Sequence, residues 1–175
     1  PDYERVIDMC LELAIRKVNL DSTVIDIGSA LGYTIDKFIS KGFTKVYGVE
    51  SSEAMINKSK HRELIINSDK FPNIPVDFVM ANSTLHFIIE RKEYIQEIYN
   101  NLSDGGVLII SDKTVQSDVI KNMYYDFKLQ NGVHYDYIIK KEKSLEGYMD
   151  AYSCFWYLDI LKAVGFENVQ IINAK

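Results

Sequence analysis

Residues 23–33, which read T-V-I-D-I-G-S-A-L-G-Y, constrain the fold more than any other part of the chain. The first half, residues 24–27, is an apolar run interrupted only by Asp26, which is typical of a buried parallel strand. Gly28 and Gly32 follow, and a helical pattern begins directly after them. A strand that turns through glycines into a helix lets a ligand approach bare backbone at the helix N-terminus. The stretch therefore predicts either a ligand-binding βα turn or an ordinary tight turn without a ligand.

Apolar periodicity predicts that strands and helices alternate along the rest of the chain. Strands are predicted at residues 24–27, 45–50, 63–69, 76–83, 107–111 and 169–173. Helices are predicted at residues 3–18, 33–39, 51–62, 91–102, 117–130, 144–152 and 155–164, with a turn cluster at 103–106. This order predicts one α/β domain over residues 1–175, with a doubly wound, mostly parallel sheet that carries helices on both faces.

The composition is that of a globular domain with a small excess of acidic residues. The 175 residues are 47% hydrophobic and 26% charged, which suits one domain with a sizeable core. A formal net charge of −5 argues against broad nucleic-acid binding but leaves a single nucleotide-like group as a candidate substrate. No apolar run reaches membrane-spanning length, and no signal peptide is visible. Because the chain begins at Pro1 rather than Met, we expect it to be an excerpt of a longer polypeptide.

The two cysteines, Cys10 and Cys154, predict free thiols rather than a disulfide framework. They lie far apart in sequence and form no CxxC pair, so we interpret them as buried thiols of a cytoplasmic protein. No cluster of His, Cys and acidic residues has the spacing of metal ligands, so no metal is predicted.

Polar residues end each of the first five predicted strands. They are Asp26 with Gly28, then Glu50, Asp69, Asn82 with Ser83, and Asp112. In a doubly wound sheet these strand ends meet at the crevice where ligands bind. An acid at the end of the second strand, such as Glu50, is placed to accept hydrogen bonds from ribose hydroxyls. One such acid is usually a helix cap, but three at successive strand ends beside a glycine turn predict an adenosine-type ligand.

Four motifs resemble those of class I S-adenosylmethionine-dependent methyltransferases. They are D-I-G-S-A-L-G (residues 26–32), V-E-S-S-E-A-M (49–55), the strand-end Asp69 and V-M-A-N-S-T-L-H-F (79–87). Their order and spacing agree with that family over residues 23–110, although Ala30 stands where the family usually has its middle glycine. The resemblance implies a Rossmann-like fold, S-adenosylmethionine as cofactor and S-adenosylhomocysteine as product. It also implies a final antiparallel strand, which we expect to be missing before the chain stops at Lys175.

Further segments are similar to the carboxy-S-adenosylmethionine synthase branch. They are P-D-Y at the start, N-S-T-L-H-F, S-D-K, Y-Y-D-F-K-L-Q-N-G and L-K-A-V-G-F-E. The resemblance implies a homodimer in which Tyr3, Gly28 and Ala30 line the methionine end of the cofactor. It also implies that Glu50 holds the ribose, that Asp69 flanks the adenine and that Asn82 faces the sulfonium. The whole predicted cofactor-binding set is Tyr3, Asp26, Gly28, Ser29, Ala30, Gly32, Glu50, Ser51, Met55, Ser68, Asp69, Asn82 and Ser83.

One position departs from the synthase pattern. The synthases carry an arginine that pairs with the carboxylate added to the cofactor, and an alignment without gaps places Glu142 there. A carboxylate at this point would repel a carboxylated ligand, and a lysine point charge does not replace a bidentate arginine. Lys141 or Lys143 would have to substitute from a neighbouring turn.

Three residues are candidates for a catalytic role. Methyl transfer mainly needs donor and acceptor in line, and a base is needed only for a hydroxyl or a weakly acidic amine. His86 is the first candidate base, expected at the pocket edge, with a structural histidine as the alternative. Asp112 ends the fifth strand and is placed to touch substrate. Tyr124, in the aromatic-rich part of the chain, is placed either to wall an acceptor pocket or to pack in the core.

The residues leave four hypotheses for function. The first is a methyltransferase acting on a small molecule or nucleotide-like group. The second is a carboxy-S-adenosylmethionine synthase of a tRNA wobble-uridine modification pathway or a related carboxymethylation pathway, as the resemblance implies. The third is a non-catalytic cofactor-binding module of a larger assembly. The fourth, a nicotinamide-dependent oxidoreductase, is disfavoured because the G-x-G-x-x-G spacing is absent.

Overall fold

Five parallel strands form the centre of the computed structural model, which describes residues 2–172. They are β1 (Thr23–Ile27), β2 (Lys45–Glu50), β3 (Ile65–Asn67), β4 (Val76–Asn82) and β5 (Leu102–Ser111). Their order in the sheet is β3-β2-β1-β4-β5, and each of these ladders is parallel. This confirms the predicted doubly wound sheet. Strand order reverses between β1 and β4, so a crevice opens at their carboxyl ends.

Helices connect the strands and pack on the two faces of the sheet. They are α1 (Asp2–Lys17), α2 (Tyr33–Ser40), α3 (Glu53–Ile56), α4 (Arg91–Asn101), α5 (Asp118–Gln130), α6 (Tyr135–Leu145) and α7 (Cys154–Val164). Two short 3₁₀ helices span Arg62–Leu64 and Leu85–Phe87. Most of these bounds lie within two residues of the predicted ones, because amphipathic periodicity is a local property of the chain.

Two apolar clusters, one on each face, hold the layers together. The first joins α1 and α2 to the sheet through residues such as Leu11, Phe38 and Phe78, which are buried. The second joins α4 and α7 to the opposite face through residues such as Ile95 and Tyr157. Successive residues of each strand face opposite clusters, as the pleat requires. Because both faces are covered, the polar residues that end the strands are grouped at the carboxyl edge of the sheet.

The predicted turn cluster at residues 103–106 is instead part of β5. The pairing of β4 with β5 shifts register between Val76 and Phe78, and Gly105 has a φ of 75° in the facing strand. Between these two pairs β4 advances by two residues and β5 by five, so β5 carries three extra residues without the ladder ending, as in the longer β-bulges.

Three other predicted elements differ from the structure. The helix predicted to reach residue 62 ends at Ile56, because the following loop turns back so that the Ser59 hydroxyl donates to the Leu31 carbonyl at 2.8 Å. The strand predicted at 63–69 shortens to β3 because a 3₁₀ turn takes its first residues. The helix predicted at 144–152 is wrong: α6 ends at Leu145, just before Gly147, whose φ is 76°.

The C-terminal strand predicted at residues 169–173 does not form in the part of the chain that the structure describes. Residues 169–172 belong to no ladder, and Asn173 lies outside the described residues. Both cysteines are free thiols, with Cys10 buried and Cys154 partly exposed. Within residues 2–172, no helix has the length and apolar character that a membrane span requires.

Candidate active site

Two adjoining pockets occupy the crevice at the carboxyl ends of the strands. The larger is about 570 Å³. It is lined by Ile27, Gly28, Val49, Glu50, Ser51, Ser68, Asp69, Ser83, Thr84, Phe87, Ile88, Ile89 and Tyr94. The smaller is about 200 Å³ and is lined by Tyr3, Val6, Asn82, Ser83 and Ser111. Ser83 lines both, so the two pockets meet at the end of β4.

The glycine turn after β1 forms the floor of the larger pocket. Gly28 has a φ of 69°, and its N–H donates to the Val49 carbonyl at 2.8 Å. A Cβ at this position would lie 2.6 Å from Thr84 Cγ2, which is closer than real Cβ contacts. Thr84 is held there because its hydroxyl donates to the carbonyl of Ile27 at 3.1 Å. Only glycine therefore meets both the backbone angle and the space at this turn.

Glu50 organises the two loops that border the larger pocket. Its Oε2 accepts the N–H of Ala30 at 3.0 Å, and its Oε1 accepts the N–H of Ser52 at 2.8 Å. Ala30 has a φ of 48°, so its small side chain tolerates a conformation that normally favours glycine. Each carboxylate oxygen has a further lone pair after these bonds. Glu50 thus positions the glycine turn and still has acceptors for a ligand hydroxyl.

Buried polar groups without partners surround the smaller pocket and the back of the glycine turn. The atoms are Asp26 Oδ2, Ser29 Oγ, Thr34 Oγ1 and both amide atoms of Asn82. Asn82 lines the smaller pocket although it is only 5% exposed. Buried polar groups in native proteins are nearly always hydrogen-bonded to protein, water or ligand. This concentration of unpaired donors and acceptors offers hydrogen-bond partners to a polar ligand or to ordered water.

Asp26 is the most deeply buried acid of the site. Burial raises the pKa of its carboxyl to about 7, and the nearby charge of Glu50 acts in the same direction. Burial and the charge of Asp26 together raise the pKa of the Tyr3 phenol, which lines the smaller pocket. A cationic ligand beside Asp26 would favour its charged form. The local electrostatics therefore suit a ligand with positive charge at this end of the crevice.

His86 and Asp112 lie beneath the pockets rather than at their edge. His86 is 1% exposed, and its Nδ1 hydrogen-bonds Asp112 Oδ1. His86 Nε2 has no partner among the described residues. The expectation that His86 stands at the pocket edge is therefore corrected: the 3₁₀ turn after β4 directs Phe87 toward the larger pocket, while His86 is enclosed. The catalytic role of these two residues stays a prediction.

Most of the predicted cofactor-binding residues lie along the crevice. Those that line a pocket are Tyr3, Gly28, Glu50, Ser51, Ser68, Asp69, Asn82 and Ser83. Asp26 and Ser29 are buried at the glycine turn, and Gly32 precedes α2 as its N-cap residue. Met55 differs: it lies on α3, is 43% exposed and lines neither pocket.

The aromatic-rich segment lies apart from both pockets. Tyr124 is half-exposed on α5, with Lys128 Nζ 4.2 Å from its ring centroid, and lines neither pocket. Glu142, on α6, forms an ion pair with Lys121 and accepts a hydrogen bond from Tyr125. These bonds lower the pKa of Glu142, with Lys121 as the larger cause. Glu142 therefore joins α5 to α6 and stays charged.

Sequence reasoning missed the second half of the pocket wall and the network beneath it. Thr84, Phe87, Ile88 and Ile89 follow β4 and line the larger pocket, and Ser111 lines the smaller. The apolar run after the fourth strand was a usable signal, because apolar residues in an exposed loop are unusual. Arg91 is also missed, although it is only 1% exposed. A lone arginine at a helix start carries no sequence signal for burial.

The fold is that of class I S-adenosylmethionine-dependent methyltransferases. It is similar to an S-adenosylmethionine-dependent methyltransferase from Archaeoglobus fulgidus, with a TM-score of 0.67 and 18% identity over 96% of this chain and 71% of the other. It is also similar to the mycolic acid cyclopropane synthase CmaA1, solved with S-adenosylhomocysteine and CTAB. That likeness has a TM-score of 0.65 and 16% identity over 91% of this chain and 60% of the other.

Sequence comparison identifies the family. A family model described as methyltransferase domain matches residues 3–171, so the chain belongs to that family. A carboxy-S-adenosyl-L-methionine synthase from Nautilia profundicola is 25% identical over 98% of this chain and 81% of its own length. One from Desulfotalea psychrophila is 29% identical over 97% of this chain and 78% of its own length. The prediction of an S-adenosylmethionine-dependent transferase is thereby confirmed.

Proposed function

We propose that this protein is a methyltransferase that transfers a methyl group from S-adenosylmethionine to a small-molecule or nucleotide-like acceptor. The residues of the crevice fit this cofactor. Gly28 lines the larger pocket, and Glu50 has free acceptor lone pairs. The unpaired amide of Asn82 and the buried Asp26 suit the polar, cationic end of the same molecule.

The two pockets suggest how the residues divide the cofactor between them. In the larger pocket, Glu50 would hold the ribose hydroxyls, with Ser51 beside it, and Ser68 and Asp69 would flank the adenine. In the smaller pocket, Tyr3, Asn82 and Ser83 would surround the methionine and sulfonium end. Gly28, Ser29, Ala30 and Gly32 would supply close backbone approach, with Asp26 behind them.

The protein's part in such a reaction is to orient the reactants and to exclude water. When bound, S-adenosylmethionine supplies an electrophilic methyl group, and positioning accounts for most of the acceleration. Glu50 and Asn82 would bind the two ends of the donor and so fix its position relative to the end of β4. No protein base is required for an acceptor that is already nucleophilic. For a hydroxyl acceptor, His86 stays the candidate base, while Asp112 and Tyr124 stay candidates for contact with the acceptor.

The observation that favours methyl transfer over carboxymethyl chemistry is the lining of the smaller pocket. Its lining residues are Tyr3, Val6, Asn82, Ser83 and Ser111, and this set of described residues contains no cationic side chain. S-adenosylmethionine brings one carboxylate, which its own ammonium group balances, whereas a second carboxylate on the sulfonium substituent would lack the arginine or lysine that such a buried charge requires. Glu142, which stands where the synthases carry the arginine, is a carboxylate and supplies no positive charge to the pocket. It pairs instead with Lys121, so that α6 is joined to α5.

A second candidate function is synthesis of a carboxylated S-adenosylmethionine. It is supported by the two relatives named as carboxy-S-adenosyl-L-methionine synthases, at 25% and 29% identity over nearly the whole chain. It requires a cation from outside the described pocket, such as a residue of a second subunit. A non-catalytic cofactor-binding module remains the third hypothesis, distinguished by binding without transfer.

Mass spectrometry of the ligand that co-purifies with the protein separates these functions. We expect S-adenosylmethionine or S-adenosylhomocysteine, and a carboxylated sulfonium nucleoside would overturn the methyltransferase proposal in favour of the synthase. Incubation with methyl-labelled S-adenosylmethionine and fractionated metabolite extract then tests transfer. Binding without label in any fraction would support the non-catalytic module.

A point mutation tests whether Glu50 holds the cofactor. Glu50→Gln replaces one acceptor oxygen by an amide that faces a backbone N–H, so S-adenosylhomocysteine affinity should fall about 10- to 100-fold in calorimetry. Glu53→Gln, on the exposed first turn of α3, is the matched control and should bind as wild type does. Equal affinities for the two variants would remove Glu50 from the proposed site.

We also propose that the protein is a cytoplasmic homodimer that pairs through α5. Val119, Met123 and Phe127 form an exposed apolar stripe at four-residue spacing, and α5 has no buried residue. A two-fold pairing of α5 with a second copy would cover this stripe, because both copies present the same apolar face.

A further inference from the structure

A chain of buried hydrogen bonds runs beneath the pockets from Arg91 to His86. Arg91, the first residue of α4, donates from Nε to the Leu85 carbonyl at 2.7 Å and from Nη2 to the Asp150 carbonyl at 2.6 Å. Its Nη1 donates to the Tyr157 hydroxyl at 3.3 Å, and its guanidinium lies 4.4 Å from the ring centroid of Tyr152. Arg91 is 1% exposed, so this charge is held inside the protein.

The direction of each hydrogen bond in the chain is determined by its donors. The Tyr157 hydroxyl donates to Asp112 Oδ2 at 2.5 Å, and burial followed by this bond raises the pKa of Tyr157. Asp112 is therefore the acceptor from Tyr157, and its Oδ1 accepts from Nδ1 of His86. The order is Arg91 to Tyr157 to Asp112, with His86 donating from the other side. A buried positive charge and a buried negative charge are thus bridged by one hydroxyl.

Two members of this hydrogen-bond chain, His86 and Asp112, are attached to the two pocket walls. His86 stands between Thr84 and Phe87, both of which line the larger pocket. Asp112 directly follows Ser111, which lines the smaller pocket and accepts the N–H of Ser83 at 2.6 Å. The His86 carbonyl also accepts the N–H of Asp150 at 2.9 Å. A displacement of the His86–Asp112 bond would therefore move the wall after β4 relative to the end of β5.

We propose that His86 is a positioning residue, held by the Arg91–Tyr157–Asp112 chain, that fixes the two pocket walls relative to each other. The proposal rests on the proposed function, since the walls are those of the cofactor crevice. Apolar residues of similar volume usually replace buried ion pairs without loss of stability. Packing of the interior therefore does not require this chain of polar groups. What does require it is a single defined arrangement of the two pocket walls.

Two substitutions of His86 separate hydrogen bonding from space filling. In His86→Asn the amide nitrogen is as many bonds from Cα as Nδ1, so the donor to Asp112 is retained. In His86→Leu the apolar volume is retained and the donor is lost. We expect His86→Asn to keep S-adenosylhomocysteine affinity within about threefold and His86→Leu to lose about tenfold or more in calorimetry. Equal losses, or a larger loss in the asparagine variant, would overturn the proposal.

A second pair of variants tests the chain where His86 itself is unchanged. Tyr157→Phe removes the hydroxyl that joins Arg91 to Asp112, and Tyr152→Phe is the matched control because its hydroxyl makes no hydrogen bond among the described residues. We expect the ¹⁵N resonances of the His86 imidazole to shift in Tyr157→Phe and to keep their wild-type positions in Tyr152→Phe. An unchanged His86 signal in Tyr157→Phe would contradict the proposed chain.

The two experiments also separate this inference from the proposed function. If the wild-type protein does not bind S-adenosylhomocysteine, the proposed function fails, and the nuclear magnetic resonance comparison alone decides whether the chain orients His86. If the wild type binds and the variants show no difference, the cofactor site stands and the positioning role fails.

Discussion

The carboxyl edge of the sheet and the helical segment at residues 113–153 differ in what holds their side chains. At the sheet edge, Asp26, Asn82 and His86 are buried, and the backbone turns are locked by hydrogen bonds across strands. In the helical segment, α5 has no buried residue and α6 buries only Ile138. Large apolar side chains such as Met123 and Phe127 are exposed there.

The difference is that the chain itself encloses the polar groups of the sheet edge, whereas the helical segment presents large apolar side chains to solvent. Unpaired polar atoms at the sheet edge are enclosed, as expected of the proposed site for a small polar ligand. The exposed apolar stripe on α5 costs free energy in water until another surface covers it. Substitutions at the edge should therefore change ligand binding, while substitutions on α5 should change association.

The largest expected effect comes from a pair of glycines, one in each region. Gly28→Ala combines a φ of 69° with a clash against Thr84, whereas Gly132→Ala, with a φ of 81°, has no atom within 4 Å of the new Cβ. The backbone cost of about 1–2 kcal/mol is shared, and the clash adds about 1–3 kcal/mol at Gly28 alone. We expect Gly28→Ala to lose measurable S-adenosylhomocysteine binding, and Gly132→Ala to bind as wild type does.

Calorimetry and thermal unfolding of the two variants provide the comparison. Similar binding losses in both would show that the cofactor crevice depends on the helical segment as much as on the glycine turn. That result would break the distinction between the two regions.

The next largest effect concerns the apolar stripe. Phe127→Asp places a charge on the exposed stripe of α5, so we expect light scattering to show a monomer in place of the proposed dimer. Cofactor affinity should be retained, because Phe127 lines neither pocket. Ile15→Asp, an exposed apolar position on α1, is the control and should leave the mass unchanged. A wild-type protein that is monomeric at all concentrations would contradict the proposed dimer.

The smallest effect is a pH dependence at the sheet edge. Asp26 in the unfolded chain loses its proton near its ordinary pKa of 3.8, and in the fold its pKa is about 7. The folded state therefore binds more protons between these values, and its free energy of unfolding falls as pH rises through this window. Asp26→Asn should make this slope shallower by up to about one proton, measured by denaturant unfolding of the ligand-free protein.

The exposed Asp21→Asn variant controls for a general loss of one carboxylate. Its pH profile should follow that of the wild type. An unchanged slope in Asp26→Asn would mean that Asp26 does not titrate between these two values.

Local patterns predicted the strands, most helices and much of the site. Gly28 was predictable because a strand that meets a helix needs a positive φ at the turn. Glu50 was predictable because the distance from the glycines to the next strand end is set by one βαβ unit. The register shift opposite Gly105 and the end of α6 were not, since the first depends on pairing with β4 and the second on a turn at Gly147.

The sequence by itself determined the glycine turn, the strand-end acids and hence the kind of ligand. These features depend on backbone angles and on spacings within short segments. Only the tertiary structure decided that His86 is enclosed and that Arg91, Asp112 and Tyr157 form one buried chain with it. These residues come from four separate segments of the chain, and their contacts exist only after the sheet and helices have packed. Burial and pairing of polar groups are properties of that packing rather than of any local pattern.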